Sequence, residues 1–470
     1  MQDSNPAPTS KGTLSPDTAK QMRAAWDQLI GELEAARDAI DNPALYPPPA
    51  SDRVLAEGYR YLLGFVYGAI DRAFADPDYP FFRRAIQPLD RATIDNADAS
   101  YLCAEIDGNQ SYCVRGRAAA YAHWRGEPRS GSGPQAPQYV ILEATSAYAG
   151  DTGSLGELST RVRANTGSLD SSSLEVDPDG CFEVLLAPER PAGHRGNFIA
   201  TRALRDCPNP DGTSEQVEHT ARFLVLRELF YDWEHEEALD LEIFQLGREG
   251  THPDPLSPER AGAQLRRVGE ITRAQMHFWN EFYAVVLETH QDMNRDGKRF
   301  MPRNDLNAPN RAAIATGGGQ STNIYSGGVF ELDPDEALVI EVRMPVEPEY
   351  LGFHLSNLWG ESLDYANHVA SLNGFQARRD ADGAVRYVVA HRDPGLANWV
   401  DTTGLPEGFL TVRWSYSRKQ QELPEVAVRK VRFDELEKTL PAPLQKLSVN
   451  ERREQLRIRQ QHVQRRYRQY

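Results

Sequence analysis

The chain has 470 residues, with 52 Lys and Arg against 68 Asp and Glu for a net charge of −16, and it is 40% apolar and 26% charged. That balance supports packed cores rather than disorder, and so acidic a body repels phosphate backbones, which disfavours nucleic acid as a partner. No run approaches the roughly 18 apolar residues of a membrane span, and the opening MQDSNPAPTSKGTLSPD holds no apolar signal segment, so the expected compartment is the cytoplasm.

Residues 1–15 are polar and proline-rich and read as a disordered N-terminus. A helical segment follows over 16–90. In 16–41, Met22, Trp26, Leu29, Ile30, Leu33 and Ile40 recur at helical spacing before NPALYPPPA stops the helix. In 52–75, Leu55, Tyr59, Leu62, Leu63, Val66 and Ile70 form a second stripe. The two are expected to make a helical hairpin packed on something larger.

Short alternating runs begin near residue 98 and define a first β region over 91–250. Asp107-Gly108 and Asp179-Gly180 lie between strand-like runs, and Asp382-Gly383 repeats the device further on. Asp-Gly supplies the positive φ of tight hairpin turns, so the three pairs predict antiparallel sheet. YVILEATSA, ARFLVLRELFYDW, GGVFELDPDEALVIEVRMP and GFLTVRWSYSR read as further strands.

A helical insert and loop occupy 251–305. Ser257 caps a helix that opens with Pro258 and carries Leu265, Val268, Ile271, Met276, Trp279 and Phe282 on its apolar face. In the loop behind it, Asp292, Asn294, Asp296 and Gly297 imitate half of a calcium loop, but Arg303 stands where the closing Glu belongs. ATGGGQSTNIYSGG lacks the Lys-Ser/Thr of a phosphate loop. Cys103, Cys113, Cys181 and Cys207 show no C-x-x-C pair and no zinc-like His spacing, so they are expected as core thiols, and neither a metal nor another cofactor is assigned.

The C-terminal β region spans 306–435, and its centre, SLDYANHVASLNGFQARRDADGAVRYVVAHRDPG, is the candidate site. It holds Asp364, His368, His391, Arg392 and Asp393, with His354 and Trp359 just before it. Histidine exchanges a proton near neutrality and a neighbouring carboxylate fixes its tautomer, so His368, His391 and His354 with Asp364 and Asp393 are the catalytic candidates. Trp359, Tyr365, Asn367, Arg392, Asn398 and Trp399 are the substrate-binding candidates, the tryptophans as a stacking wall. If Asp382-Gly383 is a two-residue turn, His391 faces Gly374 and stands about 20 Å from His368, and the two meet only where the strand bends at Asn373-Gly374 or beyond Pro394. Residues 436–470 read as a basic helix, with eight Lys or Arg against two Glu over 444–470, that docks on the acidic body or on a neighbouring subunit.

The segments FHLSNLWGESLDYANHVASLNGFQARRDADGAVRYVVAHRDPG, YRYLLGFVYGAIDRAF and LEVDPDGCFEVLLAP resemble the bacterial family catalogued as domain of unknown function 1214, in its full-length actinobacterial and proteobacterial form. The resemblance covers most of the chain from about residue 55. It implies a jelly-roll-like β-sandwich with helical additions and implies no reaction, and this chain departs from it in the insert HQDMNRDGKRF.

The expected architecture is therefore mainly β with α additions: an antiparallel β-sandwich with an N-terminal helical hairpin and a C-terminal basic helix. The leading function is an enzyme acting on a small, partly apolar molecule by acid/base or hydrolytic chemistry at the sheet rim. The alternatives are a noncatalytic small-molecule or carbohydrate binder and a homo-oligomeric assembly protein joined through its terminal helices.

Overall fold

A computed structural model describes residues 14–43, 51–129, 133–209, 211–288, 300–311, 322–416 and 422–467. The chain is mostly β, with helices at both ends and one long helix between two β units. The first unit comprises the edge strand β1 (Arg83–Ile86), then β2 (Ala99–Glu105), β3 (Tyr112–Arg117), β4 (Tyr139–Thr145), β5 (Asn165–Asp170), β6 (Cys181–Ala187) and β7 (Asn197–Ala200). A separate hairpin, β8 (Arg202–Pro208) and β9 (Ser214–Thr220), precedes its last strands, β10 (Phe223–Leu229) and β11 (Asp240–Gln245). The second unit comprises β12 (Asn323–Glu331), β13 (Glu336–Arg343), β14 (Tyr350–Ser356), β15 (Ser371–Asn373), β16 (Val385–Ala390), β17 (Trp399–Asp401), β18 (Glu407–Ser415) and β19 (Glu425–Arg432).

The sheets run β1-β2-β10-β4-β5 and β11-β3-β6-β7 in the first unit, and β12-β18-β14-β15 and β17-β16-β13-β19 in the second. With β1 and the hairpin set aside and each unit's strands counted one to eight, both units follow one plan. One sheet is ordered 1-7-3-4 and the other 8-2-5-6; strands five and six are parallel, and the remaining pairs are antiparallel. The registers agree as well. Ile141 and Tyr101 flank Arg227 on β10, and Gly352 and Tyr325 flank Arg413 on β18. Even one side-chain clamp is repeated: Asn197 Nδ2 donates to Glu175 O and Glu183 O at 2.8 and 2.9 Å, and Asn398 Nδ2 to Arg378 O and Arg386 O at 2.7 and 3.1 Å. The chain contains two copies of one eight-stranded fold.

Alternation along the strands fills each unit between its two sheets. Val114, Leu142, Val184, Leu186, Leu224 and Leu226 meet in the first. Phe353, Val389, Leu410, Val412 and Trp414 meet in the second, where Phe353 and Tyr387 stack across the layers with centroids 4.7 Å apart. Burial of this kind stabilises by about 25 cal/mol per Å² of apolar surface.

The Asp-Gly pairs act differently from expectation. Those at Asp107, Asp179 and Asp382 join β2 to β3, β5 to β6 and β15 to β16, and in each case the two strands belong to different sheets. Gly180 and Gly383 do take positive φ, +88° and +81°. A positive-φ corner reverses the chain without choosing the next strand's neighbour; with apolar runs on both sides, the strands bury more by facing each other across a core than by pairing edge to edge. A true hairpin forms at Asp211-Gly212, between the polar strands β8 and β9. His391 consequently does not lie opposite Gly374, because β16 pairs with β13 and β17.

The long helices are α1 (Pro16–Asp41), α2 (Asp52–Ala73), α3 (Pro258–Glu288) and α4 (Val449–Arg466). Ser51 and Ser257 cap α2 and α3 by accepting from Val54 N and Arg260 N, and Ser448 with Glu451 closes a capping box on α4. α1 and α2 pack on α3, but their buried faces differ from the predicted stripes. α1 buries Ala25, Leu29, Ala36 and Ile40 and exposes Trp26 and Ile30. α2 buries Val54, Gly58, Leu62, Phe65 and Ala69 and exposes Tyr59, Leu63, Tyr67 and Ile70. Small residues set the closest approaches: a Cβ on Gly269 of α3 would lie 3.3 Å from Leu29 Cα of α1, and one on Gly58 of α2 would lie 2.5 Å from the Trp359 ring. Among the described residues, no helix is long and apolar enough to cross a membrane.

α4 joins the units through buried arginines. Arg459 donates to Tyr365 O and Ser371 O at 2.8 and 3.0 Å, and Arg466 to Ala97 O and Ala99 O at 2.7 and 3.3 Å. The calcium-like segment at Asp292–Gly297, the part of the glycine-rich run before Thr322, and Tyr470 lie outside the described residues.

Candidate functional site

On β10 and β18 the even-numbered side chains enter their own unit's core, so the odd-numbered ones project from the outer faces. Those outer faces look toward each other. Their contacts are reciprocal: Tyr139 OH meets Thr322 Oγ1 at 3.2 Å, while the equivalent Tyr350 OH donates to Asp98 Oδ2 at 2.6 Å, from the position equivalent to Thr322. Such i-to-j and j-to-i pairing is what a twofold relation between units produces.

Between the faces lies a cavity of about 230 Å³. Val225, Arg227 and Leu229 of β10 and Thr411 and Arg413 of β18 form its sheet walls, with Tyr101 and Tyr325 beside the arginines. Each guanidinium lies 5.7 Å from the ring centroid of its neighbouring tyrosine. Phe65 and Ala69 of α2 and Ile271, Trp279, Phe282 and Val286 of α3 close the space. Most of this lining is apolar, as in sites that enclose small molecules.

The charges around the cavity are individually placed. Arg72 pairs with Asp151 at 2.8 Å and lies 4.1 Å from the Tyr148 ring centroid; Arg83 pairs with Asp71 at 3.4 Å. Arg227 pairs with Glu143 at 3.6 Å. Arg413 makes no ion pair among the described residues; its Nη2 donates to Ile94 O at 2.6 Å and to His354 Nε2 at 3.0 Å. Arginine cannot accept a proton, so His354 Nε2 is the acceptor and the ring's proton resides on Nδ1. Burial first, and Arg413 second, hold the His354 pKa well below its ordinary value.

Asp90 also lines the cavity, close against Gly68 of α2, where a Cβ would come within 2.6 Å of its Oδ2. Burial, reinforced by Asp95 and Glu361, pushes the Asp90 pKa well above the carboxylate range. Burial likewise pushes the Tyr148 phenol up to about 12, against the pull of Arg72. A buried carboxyl with a raised pKa and a cluster of guanidinium groups therefore line one mainly apolar hollow, with the His354 imidazole behind Arg413.

None of the residues proposed from sequence lines this cavity, although His354 touches it through Arg413. His368 Nδ1 lies 2.8 Å from Asp401 Oδ2, and His391 Nδ1 lies 2.7 Å from Thr402 Oγ1, with its Nε2 3.1 Å from Leu332 O. The two histidines thus meet successive residues at the end of β17 and not each other. Asp364 accepts from Asn367, and Asp393 pairs with Arg452 of α4 at 2.9 Å. Arg392 lies over Phe433, Trp399 Nε1 donates to Ala390 O, and Asn398 is the clamp described above. Trp359 Nε1 donates to Val54 O, and Tyr365 OH contacts Tyr467 OH at 3.0 Å. Sequence reasoning missed Asp90, Tyr101, Arg227, Tyr325 and Arg413. The available signal was the matching pair FLVLREL and FLTVRWS, each with an arginine in an apolar strand.

No family model matches the chain, and no curated protein does. A crystal structure of an uncharacterized protein from Burkholderia cenocepacia is similar, at 25% identity and a TM-score of 0.69, covering 88% of this chain and 99% of that one. A protein from Vibrio parahaemolyticus gives 12% identity and a TM-score of 0.37 over 85% of this chain and 100% of that one.

Proposed function

We propose that this chain binds a small, partly apolar molecule in the cavity between its two β units. The observation that carries the reading is the hollow itself, walled by equivalent strands of both units and bordered by α2 and α3. Calorimetric titration with a neutral apolar probe, octanol, tests it. Binding by the native chain, lost in an Ala69→Phe variant that still unfolds cooperatively, supports the reading; octanol binding unchanged by that ring contradicts it. The finer description of each unit as a jelly-roll-like sandwich belongs to the same reading and is supported by the two-layer packing.

A second reading, acid/base catalysis on the bound molecule, is favoured by Asp90. A buried carboxyl whose pKa is raised holds its proton to higher pH than usual and can donate it to a ligand held beside it. Carbon-13 titration of the Asp90 carboxyl tests this, since a pKa near the ordinary value of about 3.9 would remove the acid.

A further inference from the structure

We propose that the ligand of this cavity is a monocarboxylate with an apolar body, its head group held by Arg413. This rests on the binding reading above and adds the chemical class.

The duplication supplies an internal comparison. Arg227 and Arg413 occupy the same strand position in the same register, each 5.7 Å from a tyrosine ring centroid, and both line the one cavity. On the adjacent strand, Glu143 lies opposite Val225 and His354 lies opposite Thr411, so these two residues are equivalent as well. In the first unit the acid balances its arginine. In the second an imidazole takes the acid's place and accepts from Arg413 as a neutral group. Asp95 also feels the Arg413 charge, but its carboxylate is taken up by Ser362 N and Oγ at 2.8 and 2.7 Å and forms no ion pair with Arg413.

Arg413 is only 6% exposed, and a buried guanidinium without a counter-ion is costly to a fold. An anion arriving from solvent relieves that cost, and the planar fork of arginine fits a carboxylate. The apolar Trp279 and Phe282 rings that line the same cavity would disfavour a second charge on the ligand, which suits a monoanion. Those rings, with Val225, receive the apolar body.

The test is calorimetry on the full chain with octanoate and its neutral counterpart octanamide. The native protein is expected to bind octanoate at least tenfold tighter. His354→Glu gives Arg413 the counter-ion that Arg227 already has; octanoate affinity should fall at least tenfold, octanamide affinity should stay within twofold, and the unliganded melting temperature should rise. If that variant does not fold, Arg413→Gln decides through the ratio of the two affinities, which should approach one. Equal binding of both probes by the native chain, or an unchanged ratio in the variant, overturns the carboxylate while leaving the cavity reading in place. Binding of neither probe overturns both.

Discussion

Equivalent residues carry unequal loads here. Tyr139 and Tyr350 stand at matching positions, but Tyr139 meets a threonine hydroxyl whereas Tyr350 donates to Asp98, a buried carboxylate that also accepts from Trp233 Nε1 and Asn373 Nδ2, each at 2.9 Å. Tyr350→Phe should therefore cost about 1–3 kcal/mol in chemical denaturation and Tyr139→Phe about 0.5–1.5 kcal/mol, and equal losses would remove the asymmetry. Asp90 gives a pH signature. Its pKa is raised by burial, so the native state keeps a proton that the unfolded chain releases above about pH 3.9, and stability falls as pH rises through that window toward the native value. Asp90→Asn should flatten part of that fall; parallel stability curves for the two proteins would contradict the assignment. At this scale the sequence was least legible. His354 was singled out for its chemistry, but an acid replaced by a histidine becomes visible only beside its counterpart Glu143, and their equivalence is a matter of strand register.

Elements were more legible than the faces they bury. Helical periodicity placed α1, α2 and α3 close to their observed ends, because capping serines and proline stops are local signals. The buried face of α2 was not local information, since Gly58 and Ala69 admit neighbours that larger residues would hold off, leaving Leu63 at 68% exposure. Leu63→Lys should accordingly change stability by no more than about 0.5 kcal/mol, and a larger loss would show that this face is covered. The Asp-Gly corners were read correctly as reversals, and Arg379 and Val385 do bridge antiparallel across Asp382-Gly383, but the strands on either side of each corner then enter different sheets. The repeat itself was within reach. DPDGCFEVLLAPE and DADGAVRYVVAHR, each followed by Asn, an aromatic residue and later Thr, lie in one chain, but few identities survive and the conserved feature is the asparagine clamp. On α4, Arg459 binds the carbonyl and hydroxyl of Ser371 and the carbonyl of Tyr365. Arg459→Met should cost about 1.5–3 kcal/mol, while a neutral result would mean that the basic helix does not hold the units together.

For the whole molecule, two copies of one fold enclose a space that neither has alone. Mainly β architecture and the order of helices and strands followed from pattern, but a cavity formed by outer faces could not be inferred from residues that looked like solvent-facing alternation. Buried acids set the pH response at this level. Burial pushes Glu228 and Glu236 each up to about 7, so each contributes stability that is lost as pH rises from about 4.5 through 7; in urea denaturation Glu228→Gln should remove its share of that loss, and stability curves of the two proteins that stay parallel across the range would contradict it. The space between the two β units is the feature on which the functional account stands, and a crystal of the full chain grown with 8-bromooctanoate reads it out. The account predicts an anomalous bromine peak against the α3 side chains Trp279 and Phe282, with the carboxylate at Arg413. Bromine found only on the outer surface, with the space between the β units empty, would contradict it.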